Sequence, residues 1–208
     1  MKESKGLWFP DKDKFMVSQY AQGYTQLGTL EKALTYVTNF RTAIDGGAFI
    51  GLFSLEMAKQ FDVVLAFEPG SITRECLRKN TDNTRNIFIY DRALGEKFER
   101  ASQDQDDRWE GNTGGRYLVP GNDFEVIPLD CLGLNNIDFI KLDIEGYELF
   151  ALRGAQKTIE RCKPVIVCEE KPRIYERQGV MKGQIGNFLS SLGYKQVSKI
   201  KGDIIYCP

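Results

Sequence analysis

The chain has 208 residues, with 28 Lys plus Arg against 29 Asp plus Glu and no histidine; at roughly 150 residues per domain, this length fits one domain. The balanced charge supplies no field to draw the whole chain onto nucleic acid or an anionic membrane, and 42% hydrophobic residues exclude a disordered or collagenous chain. The missing histidine removes the Ser-His-Asp triad, His-ligated metals and the usual near-neutral general base.

Residues 1–40 stand apart from the rest of the chain. Residues 6–28 are aromatic, polar and irregular, and 30–38 (LEKALTYVT) read as a helix with Thr29 as its cap. They are expected to form a flap over one end of a domain spanning 41–208. TAID at 42–45 and VVLAF at 63–67 are short buried runs; between them Leu52, Phe53, Leu55, Met57, Ala58 and Phe61 recur at helical spacing after a glycine turn. That is a βαβ unit. A helix over 71–80 leads to a third strand, IFIY at 87–90. Residues 102–123, rich in Gly, Asp and Asn, read as a long surface loop.

FEVIPL at 124–129 and IDFIKLD at 137–143 come next, then a helix over 147–161 and a buried strand, PVIVCEE, at 164–170. The chain closes with a helix over 183–192 and two runs, 194–199 and 204–206, whose Lys-Gly-Asp turn makes them an antiparallel hairpin. The alternation predicts an α/β fold with a mostly parallel sheet. Five cysteines without a CxxC pair suggest neither a disulfide framework nor a zinc knuckle, and Cys131 and Cys168 read as small buried hydrophobes. With no signal-peptide stretch and no window near ~18 apolar residues, the expectation is a cytoplasmic protein without membrane contact.

Chemistry gathers at the strand ends, the edge where open α/β sheets hold ligands. AIDGGAFIG (43–51) turns through Gly46, Gly47 and Gly51 into a helix, a backbone that a ligand can approach closely. It is not GxGxxG, and Asp45 at its entrance would repel a pyrophosphate while suiting a cation such as S-adenosylmethionine. Phe49 and Ile50 lie in the same turn. Glu68 in AFEPG, 23 residues after Asp45, is placed to accept hydrogen bonds from ribose hydroxyls, with Phe67 beside it. Asp91, after the third strand, is a candidate for the adenine amino group or a plain strand cap. Asp143 ends the strand in IKLDIEGYE, followed by Glu145 and Glu148, which a helix N-terminus favours on its own account.

AIDGGAFIG, FEP, the Arg-Ala-Leu-Gly at 92–95, NTGG at 112–115, PLD at 128–130, IDFIKLDIEGYELFALRGA and PVIVCEE together resemble the FkbM family of S-adenosylmethionine-dependent methyltransferases. The resemblance covers residues 43–170. It implies a class I methyltransferase fold: a Rossmann-like three-layer sandwich around a seven-stranded, mostly parallel sheet whose last strand is antiparallel. It also implies methyl transfer to an oxygen, on a small molecule or a sugar or glycan hydroxyl. Position 49, commonly Asn or another polar residue in that family, is Phe49 here.

Without histidine, the candidates for the base that takes the hydroxyl proton are Asp143 first, then Glu145, Glu169 and Glu170, with Lys141 behind them. Alternatively Asp143, Glu145 and Glu170 hold Mg2+ or another hard cation that acidifies the hydroxyl. Substrate contacts are expected among Trp8, Tyr24, Arg108, Trp109, Arg116, Tyr117, Arg173 and Tyr175. A nicotinamide-dependent oxidoreductase is disfavoured by Asp45 and by KLDIEG, which has no role there. A catalytically silent cofactor-binding interaction module stays open because of Phe49. Nucleic acid is not an expected partner, since no basic stripe occurs; a homodimer is left open.

Overall fold

The computed structural model describes residues 1–23, 27–105, 111–170 and 178–208. In chain order its elements are β1 (Lys2–Ser4), β2 (Leu7–Phe9), α1 (Phe15–Ala21), α2 (Leu27–Leu34), β3 (Thr42–Gly46), α3 (Leu52–Met57), β4 (Val63–Phe67), α4 (Ser71–Thr81), β5 (Ile87–Tyr90), β6 (Ala93–Leu94), β7 (Glu99–Gln105), β8 (Arg116–Pro120) and β9 (Phe124–Ile127). β10 (Ile137–Leu142), α5 (Glu148–Arg153), α6 (Gln156–Cys162), β11 (Val165–Glu169), α7 (Gln184–Ser191), β12 (Lys195–Ile200) and β13 (Asp203–Cys207) complete it.

Seven strands form the main sheet in the order β12-β13-β11-β10-β3-β4-β5. β13 runs antiparallel to both its neighbours, while β11, β10, β3, β4 and β5 are parallel. The central strands are apolar on both faces because both faces are covered. Alternate residues face opposite ways: Ile44, Leu65, Ile140, Leu142 and Ile166 pack with α5, α6 and α7, and Ala43, Val64, Phe139 and Val165 pack with α2 and Met57 of α3. This is the expected three-layer α/β sandwich.

The resemblance strings turn out to be fastenings of this frame. Asp130 of PLD accepts hydrogen bonds from Lys157 N, Thr158 N and Thr158 Oγ1 at the start of α6. The single helix expected over 147–161 is split at Gly154, where a Cβ would lie 1.9 Å from the Gly95 carbonyl. The glycines of RGA and RALG therefore press the helix break directly against β6.

Two sequence expectations are corrected. Residues 102–123 are not a structureless loop: β7 and β8 fall there and pair antiparallel, joining β6 and β9 in a four-stranded second sheet. β7 reads ERASQDQ with only Ala101 buried, so no apolar alternation betrays it. Residues 6–28 are also more regular than expected. β1 and β2 form a hairpin, and Leu7 and Phe9 pack with Ile50 and Cys76. Asn80 fastens it, accepting from Trp8 N and donating to the Trp8 and Ile50 carbonyls. The helix expected over 30–38 is α2, which starts earlier and stops at Leu34. Among the described residues no helix is long and apolar enough to cross a membrane.

Candidate active site

The turn after β3, Glu68 after β4 and Asp143 after β10 meet at the carboxyl edge of the sheet and wall one cleft. Gly47 has φ +77, and a Cβ there would sit 2.0 Å from the Asp143 carbonyl, so only glycine lets the two loops touch. Gly46 is closed in by Leu142 and Gly51, at φ +93, by Leu77. Phe49 also lies in the left-handed region, at φ +52. Its N–H donates to Glu68 Oε2 at 2.8 Å. Glu68 Oε1 accepts from Gly70 N and Thr73 Oγ1. Burial pushes the Glu68 carboxyl up despite those bonds. Phe67, also in the wall, stacks on Tyr90 with ring centroids 4.7 Å apart. Ile50 is buried behind the turn.

Four site expectations are corrected, three of them here and that of Asp91 below. Asp45 is fully buried rather than at an open entrance, because its parity on β3 turns it inward, toward α3. It accepts from Ser54 Oγ at 2.6 Å and pairs at 3.1 Å with Lys141, its cross-strand partner on β10. Lys141 donates to Gly47 O at 2.9 Å; burial acts to lower its pKa, but Asp45, with Asp143, outweighs burial and holds it raised. A lysine held protonated is not a base, so Lys141 serves as a buried tie under the glycine turn. Glu170 is the third: it lies just past the end of β11 and accepts from Tyr206 Oη at 2.8 Å. The carboxylates that do converge are Asp143, Glu145 and Glu169, whose oxygens lie within 4.8 Å of one another.

Asp91 is exposed, paired with Arg92 at 2.9 Å, and lines a neighbouring polar groove rather than the cleft. Arg116 lines the cleft itself. Tyr117 instead donates to Asp104 at 3.4 Å, and Trp8 lies under Lys79, 3.1 Å from its ring centroid. Tyr24, Arg108, Trp109, Arg173 and Tyr175 lie outside the described residues. Burial raises the Cys168 thiol well above its ordinary range, in keeping with a buried hydrophobe, whereas Cys131 is exposed.

Two residues matter more than the sequence suggests. Glu148 is 1% exposed, and its two oxygens accept from Ile144 N at 2.8 Å and Gly146 N at 3.0 Å. It staples the loop carrying Asp143 and Glu145, in which Glu145 and Gly146 both have positive φ. Burial pushes its carboxyl up to about 8. Asp13 is fully buried and accepts from Met16 N, Thr113 N and Thr113 Oγ1, joining α1 to the NTGG loop. Asp13→Ala should therefore lose about 2–4 kcal/mol in urea unfolding, since buried donors are left unpaired. Faster amide exchange at Thr113 and Gly114 should accompany it. An unchanged midpoint would show that the latch carries no load.

The glycine turn, the acidic residue after the second parallel strand and the seven-stranded order with an antiparallel β13 define the class I methyltransferase fold. A family model described as the methyltransferase FkbM domain matches residues 43–195, and the chain belongs to that family. Methyltransferase FkbM from Methylobacillus flagellatus KT is 21% identical at a TM-score of 0.53, covering 81% of this chain and 43% of that one. This chain thus spans less than half of that protein's length. A SAM-dependent methyltransferase from Aquifex aeolicus is 15% identical at TM-score 0.50, covering 85% and 87%. A Streptococcus mutans protein solved in complex with SAH is 11% identical at TM-score 0.52, covering 86% and 94%. The comparison with curated proteins gave no match.

Proposed function

We propose that the protein binds S-adenosylmethionine in the cleft between β3, β4 and β10 and transfers its methyl group to a hydroxyl oxygen of a small molecule. The observation that carries this is the convergence of Gly47, Glu68 and Asp143 on one cleft at the carboxyl edge of the sheet. The residues fit the cofactor. Glu68 Oε2 accepts a single described bond, from Phe49, and keeps capacity for a ribose hydroxyl. Gly47 lets the turn after β3 close directly on the Asp143 backbone, which brings the two loops to one edge of the cleft. The cleft encloses about 60 Å³, well below the roughly 300–1,000 Å³ of ligand sites. Its covering wall, with Gln103, Arg116 and Leu118 of the second sheet, therefore withdraws when the cofactor enters.

When bound, S-adenosylmethionine supplies a sulfonium methyl that is already activated, with sulfur keeping the bonding pair as the methyl leaves. The chain's own task is alignment and proton removal. Asp143 is placed to take the hydroxyl proton as the oxygen lone pair forms the new O–CH3 bond, and to release it to solvent. Glu148 holds the loop that presents Asp143. Treatment with EDTA should leave turnover unchanged; loss restored by Mg2+ would instead assign Asp143, Glu145 and Glu169 to a cation. Titrating SAH calorimetrically into wild type and Glu68→Ala tests the cofactor site. Wild type should bind, and the variant at least about tenfold more weakly, one hydrogen bond to a charged group being worth about 1.5–3 kcal/mol. Equal affinities would remove Glu68 from the site.

A further inference from the structure

An open groove of about 550 Å³ lies beside the cofactor cleft and shares Pro69, Gln103 and Arg116 with its lining. Four arginines line it: Arg74 of α4, Arg92 after β5, Arg100 of β7 and Arg116 of β8. Arg92 is committed to Asp91 and Glu125, at 2.9 Å from each. Arg74 donates to the Glu68 and Pro69 carbonyls and Arg100 to that of Asn122, so neither has an anionic partner among the described residues. Arg116 is half-buried and has no hydrogen-bond or ion-pair partner among those residues. Its Nε and that of Arg74 are the buried side-chain nitrogens left there without an acceptor. Such donors carry a free-energy cost until an acceptor reaches the guanidinium.

We propose that the groove binds a phosphate group carried by a small organic molecule, at Arg116 with Arg74 and Arg100. Phosphate binding there is separate from methyl transfer and does not rest on it. Guanidinium forks match phosphate oxygens two at a time, and a monoester dianion offers three free oxygens where a carboxylate offers two. Ser71 and Gln103 add neutral hydrogen-bonding groups, and Pro69 and Phe124 give an apolar stretch for the carrier. A bare phosphate would fill little of a groove whose volume falls within the roughly 300–1,000 Å³ of organic-ligand sites. Asp91, Asp123 and Glu125 are exposed on the same lining, three carboxylates against four arginines. Arg92 answers two of them and Asp123 lies in solvent, which suits one compact dianion but sets repulsion against a polyanion such as a nucleic-acid backbone. S-adenosylmethionine carries no phosphate, so these arginines are outside what the cofactor asks for.

A 31P NMR titration of the full chain with phenyl phosphate tests this at about pH 8, where a monoester with a second pKa of about 6 is a dianion. Phenyl phosphate should bind saturably, both with and without SAH. Inorganic phosphate and benzoate should displace it only at concentrations at least about tenfold higher, since each gives up contacts of which one charged hydrogen bond is worth that factor. Arg116→Gln, which breaks no bond of the free protein, should weaken phenyl phosphate at least about tenfold for the same reason. Arg100→Gln, at an exposed site, should weaken it severalfold and leave calorimetric SAH affinity unchanged. No saturable binding, equal binding of inorganic phosphate or benzoate, or indifference to either substitution would overturn the proposal. Displacement of phenyl phosphate by SAH would overturn it as well, by making the groove part of the cofactor site. Failure of wild type to bind SAH would bring down the methyl-transfer reading and leave the phosphate result standing.

Discussion

Glu148→Ala is expected to lower the unfolding free energy by about 2–4 kcal/mol, because the buried N–H of Gly146 and the half-buried N–H of Ile144 lose their acceptor, a fully buried donor costing about 1–3 kcal/mol and a half-buried one less. Turnover should fall with it, since the loop it holds carries Asp143 and Glu145 in a conformation with positive φ at Glu145. Urea unfolding measures the first and methyl transfer the second. A loss below about 1 kcal/mol would show that the loop holds its shape unaided. The staple also predicts a pH dependence. Burial raises the Glu148 carboxyl in the folded state from 4.5 to about 8, so folding favours the protonated form. Its contribution to stability is full below the unfolded value and is lost as pH rises from about 4.5 through about 8. The difference in Tm between pH 5 and pH 9 should accordingly be smaller in Glu148→Gln than in wild type.

Asp143→Asn should reduce methyl transfer by about 10²–10⁴-fold, the usual contribution of a positioned general base. SAH affinity should change little, because the substitution keeps shape and leaves the Gly47–Asp143 backbone contact intact. The two readings separate cleanly. Activity near wild type would remove Asp143 as the base, and a parallel loss of SAH affinity would make it a cofactor contact first.

The main sheet is legible in the sequence because its strands are short, continuously apolar and separated by helical spacing, the pattern that burial on both faces imposes. The second sheet is not. β7 is polar and half-covered, and its pairing with β8 across residues 106–115 is a long-range fact with no local signature. The same distinction runs through the site. Glu68 and Asp143 are readable because each ends an obvious strand, and the structure brings both to one cleft. Asp45 departs from its expected place because strand position alone does not say which face a side chain takes; its parity with Ala43 turns it to the face packed by α2 and α3, where Ser54 and Lys141 meet it. Glu169, the last residue of β11, and Glu170, just past its end, show the same effect in reverse: the first joins Asp143 and Glu145, and the second bonds Tyr206. Glu148 reads in the sequence as a helix-dipole residue, but α5 is a single short helix and the carboxyl spends both oxygens on the loop before it. Asp13 carries no sequence signal beyond its charge; its partner Thr113 is 100 residues away.

The central claim is that the cleft between β3, β4 and β10 is a cofactor site, and a crystal structure of the protein grown with SAH tests it most directly. Density should place the ribose hydroxyls on Glu68, with the methionine end over Gly47 and the wall of Gln103 and Arg116 displaced outward. SAH bound elsewhere, or a cleft that excludes SAH while the protein binds NADH, would contradict it.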